Sequence, residues 1–188
     1  FYKEELKKNI LNGENILIAA HGNSLRALFV VLGICDEEMI EKIDIPTSKP
    51  FIIEYFNEEI INYGYLSDYE IKGRQILDSR GNPTIEVDIY ENNKLISRES
   101  CPSGASTGTN EALELRDGKE EYFGKGVNEA ISNLNKINKL IYLDKEKISN
   151  LKDLDLNICK LDGTELKLNI GGNTTTGLSY AFAAAGAN

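Results

Sequence analysis

The middle of this sequence holds three strand patterns in direct succession, and their short connections restrict how the chain can fold. Residues 70–78 have the pattern of a first strand. Residues 84–90 alternate between apolar and polar side chains, which is typical of a strand buried on one face. Turn signals lie at 81–83 and 91–94, and residues 95–101 return as a third strand. Sequential strands with such short links predict an antiparallel meander.

Helical patterns follow the meander. Val127–Ile141 places its apolar side chains on one stripe at helical spacing. Further helices are predicted near Lys145–Leu161 and over Asn173–Ala185. A meander followed by a run of helices is an α+β arrangement, so we expect residues 68–188 to form an α+β domain.

The first part of the chain has a different pattern, in which helices and strands are mixed. Residues 16–20 form a short continuous apolar run, which predicts a fully buried strand of a parallel sheet. The other predicted elements of this part are helices at 3–11, 25–32 and 36–43 and strands at 51–56 and 60–66. This order predicts a partial α/β sheet segment over residues 1–67. No linker rich in Pro, Gly or Ser separates it from residues 68–188, and we place the boundary at about residue 67.

The charge and the cysteines of the chain exclude several classes of function. The formal net charge is −9, which makes nucleic acid or an anionic membrane a poor partner, although a local pocket can still bind an anionic small substrate. The longest apolar runs are far too short to span a bilayer. The three cysteines are widely separated and form no Cys-x-x-Cys pair, which favours reduced thiols in a cytoplasmic protein.

One candidate site lies where the predicted buried strand ends. His21, Gly22 and Asn23 follow that strand directly and open the next helix. Ligands of open α/β sheets lie beyond the carboxyl ends of the strands, and helix N-termini favour anions, so these residues would suit a phosphate group. The alternative is a structural turn, in which His21 makes only a local contact and Asn23 or Ser24 caps the helix. Spacing alone leaves both interpretations open.

A longer string in this part of the chain carries a family resemblance. The segments that carry it are 13–28, 44–47 and the strand pair that ends at 65–66. They resemble the C-terminal part of the cofactor-dependent phosphoglycerate mutases, which belong to the histidine phosphatase superfamily. The resemblance covers residues 1 to about 66, and it implies that this part is a segment of a histidine-phosphatase-like domain.

The mutase resemblance implies a catalytic position for His21. It places His21 in the phosphate pocket as the second histidine, opposite the histidine that becomes phosphorylated, and it places Gly22 and Asn23 against the phosphoglycerate substrate. In the family the phosphorylated histidine lies in an Arg-His-Gly motif, whereas this chain has only one histidine. Because no phosphoenzyme forms without that nucleophile, we expect no mutase activity from this chain alone.

A second motif, Cys101–Gly108, is a small polar loop that contains glycine. The backbone and hydroxyl groups of such a loop can approach a ligand or a metal ion closely. A plain surface loop is the alternative, and composition alone favours it. The motif is not a phosphate-binding P-loop, because no Gly-Lys-Ser/Thr sequence follows.

The sequence around this loop resembles the N-terminal domain of the enolases, which are phosphopyruvate hydratases. The resemblance runs from about residue 69 to residue 188 without large gaps. The segments that carry it are 75–90, 102–108, 111–118, 124–127, 161–164 and 171–173. It implies the α+β fold of that domain, a meander followed by helices, without the barrel domain of the family.

The enolase resemblance implies roles for residues of the loop. The loop would close over the substrate, 2-phosphoglycerate, and Ser103 would bind the second of the Mg²⁺ ions that the family uses. Gly104, Ala105 and Ser106 would contact the substrate. The lysine base, its acid partner and the carboxylates that hold magnesium belong to the barrel of the family, and Ser103 alone cannot hold the ion.

The two resemblances together predict a fragment of a fused glycolytic protein, a mutase followed by an enolase. The whole protein would interconvert 3-phosphoglycerate and 2-phosphoglycerate and dehydrate the latter to phosphoenolpyruvate, but we expect this chain alone to be inactive. The first residue, Phe1, favours a fragment. Enolases are usually dimers, so a homodimer through residues such as Arg80 and Glu86 is also implied. The alternatives are a non-catalytic short product that binds enolase or another partner, and an artefact of two joined genes.

Overall fold

The computed structural model of the chain describes residues 5–104 and 108–187. It consists of two compact units, Phe1–Leu66 and Ser67–Asn188, which we call the first unit and the second unit. None of the helices in the described ranges is long and apolar enough to cross a membrane.

Within its described residues, the first unit contains three α-helices and one β-hairpin. The helices are α1 (Lys7–Leu11), α2 (Gly22–Val31) and α3 (Glu37–Ile40), and the strands are β1 (Phe51–Phe56) and β2 (Glu59–Tyr65). Asn57 and Glu58 have φ angles of 48° and 68°, which is the geometry of a tight two-residue hairpin turn. The side chain of Asp36 accepts a hydrogen bond from the Met39 amide at 2.7 Å and caps α3.

Aromatic rings form the centre of the first unit. Phe29 of α2 is buried, and its ring centroid lies 4.5 Å from that of Phe51 on β1. Phe51 in turn meets Tyr65 of β2 edge-on, with 4.9 Å between the ring centroids. Tilted and edge-on rings are favourable arrangements for aromatic pairs. These contacts pack α2 against the hairpin.

The buried parallel strand predicted at residues 16–20 is wrong. These residues belong to no strand, and Leu17 leaves 95% of its surface exposed. A continuous apolar run is buried as a strand only where neighbouring strands pair with its backbone and other elements cover its faces. The only sheet among the described residues of the first unit is the antiparallel β1–β2 hairpin, which does not pair with this segment. The described part of this unit therefore lacks the predicted parallel α/β sheet.

A three-stranded antiparallel meander forms the sheet of the second unit, as predicted. Its strands are β3 (Tyr69–Leu77), β4 (Pro83–Glu91) and β5 (Lys94–Ser100). β4 lies in the centre and pairs with both neighbours. Asn92 and Asn93, with φ angles of 49° and 64°, form the tight turn between β4 and β5.

Helices follow the meander, and one predicted helix is divided in two. The helices are α4 (Asn128–Leu140), α5 (Lys145–Ser149), α6 (Leu151–Asp162) and α7 (Gly172–Gly186), with a short 3₁₀ turn at Glu121–Gly124. The helix predicted near Lys145–Leu161 breaks at Asn150, where φ and ψ are −112° and 71°. The Asn150 side chain accepts a hydrogen bond from the Asp153 amide at 3.4 Å and caps α6. Asparagine favours such local bonds to the backbone over a position inside a helix.

The core of the second unit lies between the sheet and the helices α4 and α7. Ile85, Val87 and Ile89 of β4 are fully buried, as their alternation in the sequence predicts. Leu134 of α4 and Phe182 of α7 are fully buried as well. Because burial of apolar surface stabilises a fold by roughly 25 cal/mol per Å², this layer contributes to the stability of the unit.

The opposite face of the sheet buries one carboxylate. Asp88 of β4 has no exposed surface, although the alternation of its strand places it on the polar face. Arg74 Nη1 donates to its Oδ2 at 2.7 Å, and Arg98 donates to both carboxylate oxygens at 2.8 and 2.9 Å. The hydrogen bonds from Arg98, helped by Arg74 and opposed by burial, hold the pKa of Asp88 far below its usual range.

Candidate functional site

The polar loop leaves the sheet at the end of β5, and two arginines hold Ser103, its predicted metal ligand. The Ser103 carbonyl oxygen accepts a hydrogen bond from Arg80 Nη2 at 2.9 Å. The Ser103 Oγ accepts one from Arg116 Nη2 at 3.2 Å. Both the main chain and the side chain of Ser103 are therefore held from outside the loop.

The first of these arginines is positioned by a tight turn between β3 and β4. Asp78 Oδ1 accepts hydrogen bonds from the backbone amides of Arg80 and Asn82, each at 2.8 Å. The Asn82 amide is the largest cause that lowers the pKa of the Asp78 carboxyl, so the turn is stabilised by an ionised aspartate. Gly81 completes the turn with a φ of 76°, a conformation that glycine adopts without strain.

The guanidinium of Arg116 joins several parts of the second unit. Its Nη1 donates to the carbonyl oxygens of Pro83 at 2.5 Å and of Lys125 at 2.7 Å. Its Nη2 and Nε donate to Glu114 Oε2 at 2.5 and 3.1 Å, and Nη2 also donates to Ser103. A guanidinium has five N–H donors, and these contacts use all of them.

Glu114 links Arg116 to the backbone of the loop. While its Oε2 pairs with Arg116, its Oε1 accepts a hydrogen bond from the Gly104 amide at 3.3 Å. The same carboxylate lies near Cys101, which is buried. Burial, reinforced by the charge of Glu114, raises the pKa of the Cys101 thiol to about 11. The thiol is therefore protonated at neutral pH and serves as a packing group.

The structure describes both ends of the predicted substrate-binding loop. Gly104 lies at the first end, whereas Ala105 and Ser106 lie outside the described residues. At the second end the Gly108 amide donates to Glu111 Oε2 at 2.8 Å. Each described end is thus held by a glutamate that accepts a hydrogen bond from a glycine amide.

The residues on either side of Arg116 are held by the helices. Both backbone groups of Leu115 bond to the side chain of Asn173 on α7, at 3.0 and 3.1 Å. Asp117 accepts a hydrogen bond from the Glu129 amide at 2.8 Å and so satisfies the first turn of α4. The backbone that carries Arg116 is therefore fixed relative to both helices.

Sequence reasoning missed Glu114, Arg116 and Asn173 as functional candidates. The signal for the first two was available, because residues two apart in an extended segment project from the same side. No local signal identified Asn173, whose partner Leu115 lies far away in the sequence.

The described residues do not form a magnesium site by themselves. Among them, no group of three or more His, Cys, Asp or Glu side chains is arranged to hold a metal ion. Mg²⁺ requires a nearly octahedral set of oxygen ligands, and the Ser103 hydroxyl faces a guanidinium, whose positive charge repels a divalent cation. The surroundings of Ser103 therefore do not fit the ion, and its role as a ligand stays a prediction from the resemblance.

In the first unit, His21, Gly22 and Asn23 lie together at the start of α2. His21 is the N-cap residue, and its Nδ1 accepts a hydrogen bond from the Asn23 amide at 3.3 Å. The Asn23 side chain accepts a hydrogen bond from Arg26 Nη1 at 3.1 Å. Arg26 Nη2 also donates to the Ile43 carbonyl at 3.1 Å, which ties the start of the helix to a more distant segment.

This arrangement bears on both interpretations of the histidine motif. The structure assigns the capping role to His21, where the structural alternative had placed it on Asn23 or Ser24. It also adds Arg26, a cation that sequence reasoning did not single out, to a helix start that favours anions. Phosphate binding by the residues at this helix start stays a prediction.

Comparison with known proteins identifies the family of the second unit. The model of the family described as enolase, N-terminal domain, matches residues 69–188. That range covers the meander, the loop with its two arginines, and the helices α4 to α7. The chain therefore belongs to the enolase N-terminal domain family.

Curated relatives agree with the family match. The enolase of Pyrococcus furiosus is 51% identical over 125 residues, which cover 64% of this chain and 28% of that protein. The enolase of Thermococcus gammatolerans is 49% identical over 120 residues, covering 63% of this chain and 27% of that protein. The enolase of Thermococcus kodakarensis is 51% identical over 117 residues, covering 61% of this chain and 26% of that protein. The chain spans little more than a quarter of the length of these relatives.

Proposed function

We propose that residues 68–188 serve as the N-terminal domain of an enolase and hold the polar loop beside the 2-phosphoglycerate of the complete enzyme. The family match over residues 69–188 carries this proposal. The geometry supports it, because hydrogen bonds from Arg80 and Arg116 and to Glu111 hold the described ends of the loop.

The contribution of this domain to the reaction is orientation. Dehydration of 2-phosphoglycerate removes the proton next to the carboxylate and expels the hydroxyl, and it needs a base and an acid in reach of the substrate. The described residues around the loop hold the serine and glycine at its start between ion-paired side chains. We assign none of these residues to proton transfer. The enolase resemblance implies Mg²⁺ in the complete enzyme, but we assign the metal no step in this chain, because the surroundings of Ser103 do not fit it.

The first test of this proposal compares the chain with a chimera. We expect the purified chain to show no turnover of 2-phosphoglycerate in the presence of Mg²⁺. A chimera in which residues 69–188 replace the matching part of the Pyrococcus furiosus enolase should retain turnover within about 100-fold of the parent, since misplacing catalytic groups by about 1 Å costs about that factor. The assay follows the ultraviolet absorbance of the enol product.

Controls make the chimera decisive. The parent enolase without its own N-terminal segment should be inactive, and circular dichroism establishes that each protein is folded. A folded chimera without turnover would contradict the proposed role of the domain. Turnover by the 188-residue chain above a magnesium-free control would contradict the proposed division of the active site.

For residues 1–67 we propose the C-terminal segment of a phosphoglycerate mutase, joined to the enolase part in one glycolytic protein. The grouping of His21, Gly22, Asn23 and Arg26 at the start of α2 supports this, because it offers donors and positive charge to a phosphate. The joined protein would use 3-phosphoglycerate and 2-phosphoglycerate, in the cytoplasm, and would form a homodimer through its enolase part.

Exposed apolar side chains in the first unit favour a second candidate. Leu17, Phe56 and Ile61 are 95%, 65% and 61% exposed, and such surfaces favour association. A non-catalytic short product that binds a partner would present them. Antibodies against residues 1–66 and 69–188, used on the same blot of source cells, separate the candidates. One larger band that reacts with both supports the fusion, a band at 20.9 kDa supports the short product, and two separate bands indicate an artefact of joined genes.

A further inference from the structure

The described start of the polar loop is held by side chains from outside the loop. Ser103 is held through its carbonyl oxygen by Arg80 and through its hydroxyl by Arg116. The next residue, Gly104, is held through its amide by Glu114. Two consecutive residues therefore depend on three side chains that lie outside the loop.

Arg116 is the hub of these contacts. Only 22% of its side-chain surface is exposed, and its Nη1 donates two hydrogen bonds, to the carbonyl oxygens of Pro83 and Lys125. Those carbonyls lie at the start of β4 and just before α4. The guanidinium therefore links Ser103 both to the start of β4 and to the segment that leads into α4.

The backbone that carries this hub cannot shift easily. Leu115 is clamped by the side chain of Asn173, which is only 2% exposed. Asp117, on the other side of Arg116, is bound to the first turn of α4 through the Glu129 amide. A side chain with five satisfied donors on a backbone fixed at both sides is suited to setting the position of another residue.

From this geometry we propose that Arg116, with Glu114 as its carboxylate partner, is the positioning residue that fixes Ser103 and Gly104, and that Ser103 acts as an anchor of the loop. The inference rests on the proposed function, since it is the enolase substrate that the loop would face. It also gives Ser103 a role that the structure supports better than metal binding, because its hydroxyl already accepts a hydrogen bond from a cation.

Lysine cannot replace the arginine in this role. An ammonium group has three donors at a single atom, whereas Arg116 reaches Pro83, Lys125, Glu114 and Ser103 with a planar fork of five donors. Arg116→Lys keeps the charge and releases at least two of the contacts. The substitution therefore separates geometry from charge.

The test follows backbone amides in the full chain by nuclear magnetic resonance, with ¹⁵N relaxation and hydrogen exchange. In Arg116→Lys and in the milder Glu114→Gln we expect Ser103 and Gly104 to lose order, with amide exchange at Gly104 about tenfold faster, the effect of losing one charge-assisted hydrogen bond. Gly108 should not change, because its amide donates to Glu111 and not to Glu114.

A matched control removes the same kind of contact elsewhere in the second unit. Arg98→Lys breaks a two-pronged bond to Asp88 on the outer face of the sheet and should leave Ser103 and Gly104 unchanged. Thermal unfolding of each variant separates loss of the anchor from loss of the fold. If Arg116→Lys does not fold, Glu114→Gln decides the question, since it removes one charge and keeps the shape of the side chain.

The outcomes are distinct from those of the chimera assay, because the amide signals need no turnover. Unchanged order and exchange at Ser103 and Gly104 in folded Arg116→Lys and Glu114→Gln would overturn the proposal. So would a saturable shift of the Ser103 amide on titration of the chain with Mg²⁺ accompanied by release of Arg116, since the hydroxyl would then bind the metal. If the chimera is inactive but Ser103 and Gly104 respond to the substitutions as expected, the proposed function is contradicted and the positioning role of Arg116 is not.

Discussion

Replacing Asp162 by alanine should lower the free energy of unfolding of the second unit by about 3–5 kcal/mol. Asp162 ends α6 and has no exposed surface. Its carboxylate accepts hydrogen bonds from the amides of Thr164 at 2.9 Å, Asn169 at 3.1 Å and Ile170 at 2.7 Å, and another from the Thr164 hydroxyl. Alanine would leave these donors without their acceptor, and each buried donor left unsatisfied costs about 1–3 kcal/mol.

The pH dependence of this effect has a defined sign. Burial alone raises the pKa of Asp162, but the hydrogen bonds from Thr164, Ile170 and Asn169 outweigh burial and lower the pKa below its usual value. A carboxyl whose pKa is lower in the folded state stabilises the fold above the pKa of the unfolded chain, about 3.9, and loses that contribution as the pH falls through its folded value. The difference in the free energy of unfolding between the wild-type chain and Asp162→Ala should therefore become smaller below about pH 4.

Urea unfolding followed by circular dichroism measures both effects. Asp153→Ala is the matched control, because Asp153 lies on the same helix but is exposed, and its carboxylate accepts a hydrogen bond from the Asn150 side chain at 2.6 Å. Its loss should cost less than about 1 kcal/mol, the usual range for a charge in the first turn of a helix. Equal losses in the two variants, or a loss below 1 kcal/mol for Asp162→Ala, would mean that the loop after α6 does not depend on this carboxylate.

The fold of the second unit was predictable because its signals are local. The alternation of residues 84–90 sets which side chains face the helices, and the short turns on both sides of it leave only antiparallel pairing. The break at Asn150 was harder to predict, because an asparagine can lie within a helix or cap the next one, and packing decides between the two. The family resemblance added the identity of the loop but not its contacts.

The first unit shows where local signals fail. An apolar run such as residues 16–20 predicts burial, but burial also requires neighbours, and the described residues provide no strand to pair with it. The β1–β2 hairpin was predictable because both of its strands and its turn lie within one short segment. A parallel strand depends on partners that are distant in sequence, and its pattern alone cannot establish that they are present.

The candidate site was predictable in place but not in detail. The composition of the loop indicated where a ligand could approach, and the resemblance named Ser103. The hub at Arg116 was not predictable, since its partners at Pro83, Ser103 and Lys125 meet only after the sheet and α4 have packed. Buried Asp88 is a similar case, because the alternation of β4 placed it outward and two arginines from neighbouring strands then covered it.

Replacing Gly171 by alanine should lower the free energy of unfolding by about 3–5 kcal/mol. It should also disturb Ser103 and Gly104 in the polar loop. Gly171 precedes α7 with a φ of 99°, a conformation that costs a residue with a side chain about 1–3 kcal/mol. A Cβ at this position would lie 2.6 Å from Asn173 Oδ1 and 2.7 Å from Leu115 Cβ. It would therefore push apart the two residues whose hydrogen bonds clamp the backbone next to Arg116.

Gly118→Ala is the matched control, because Gly118 has a φ of 64° but a Cβ there would meet no atom within 4 Å. That variant should show only the conformational cost, about 1–2 kcal/mol, with unchanged amide signals at Ser103 and Gly104. Gly171→Ala should show the larger loss in urea unfolding and also displaced signals at both residues, because the disturbance passes through Leu115 to Arg116. If the two variants lose the same stability, strain alone explains the effect. If Gly171→Ala is less stable but leaves Ser103 and Gly104 unchanged, the clamp on Leu115 supports the helix and not the loop.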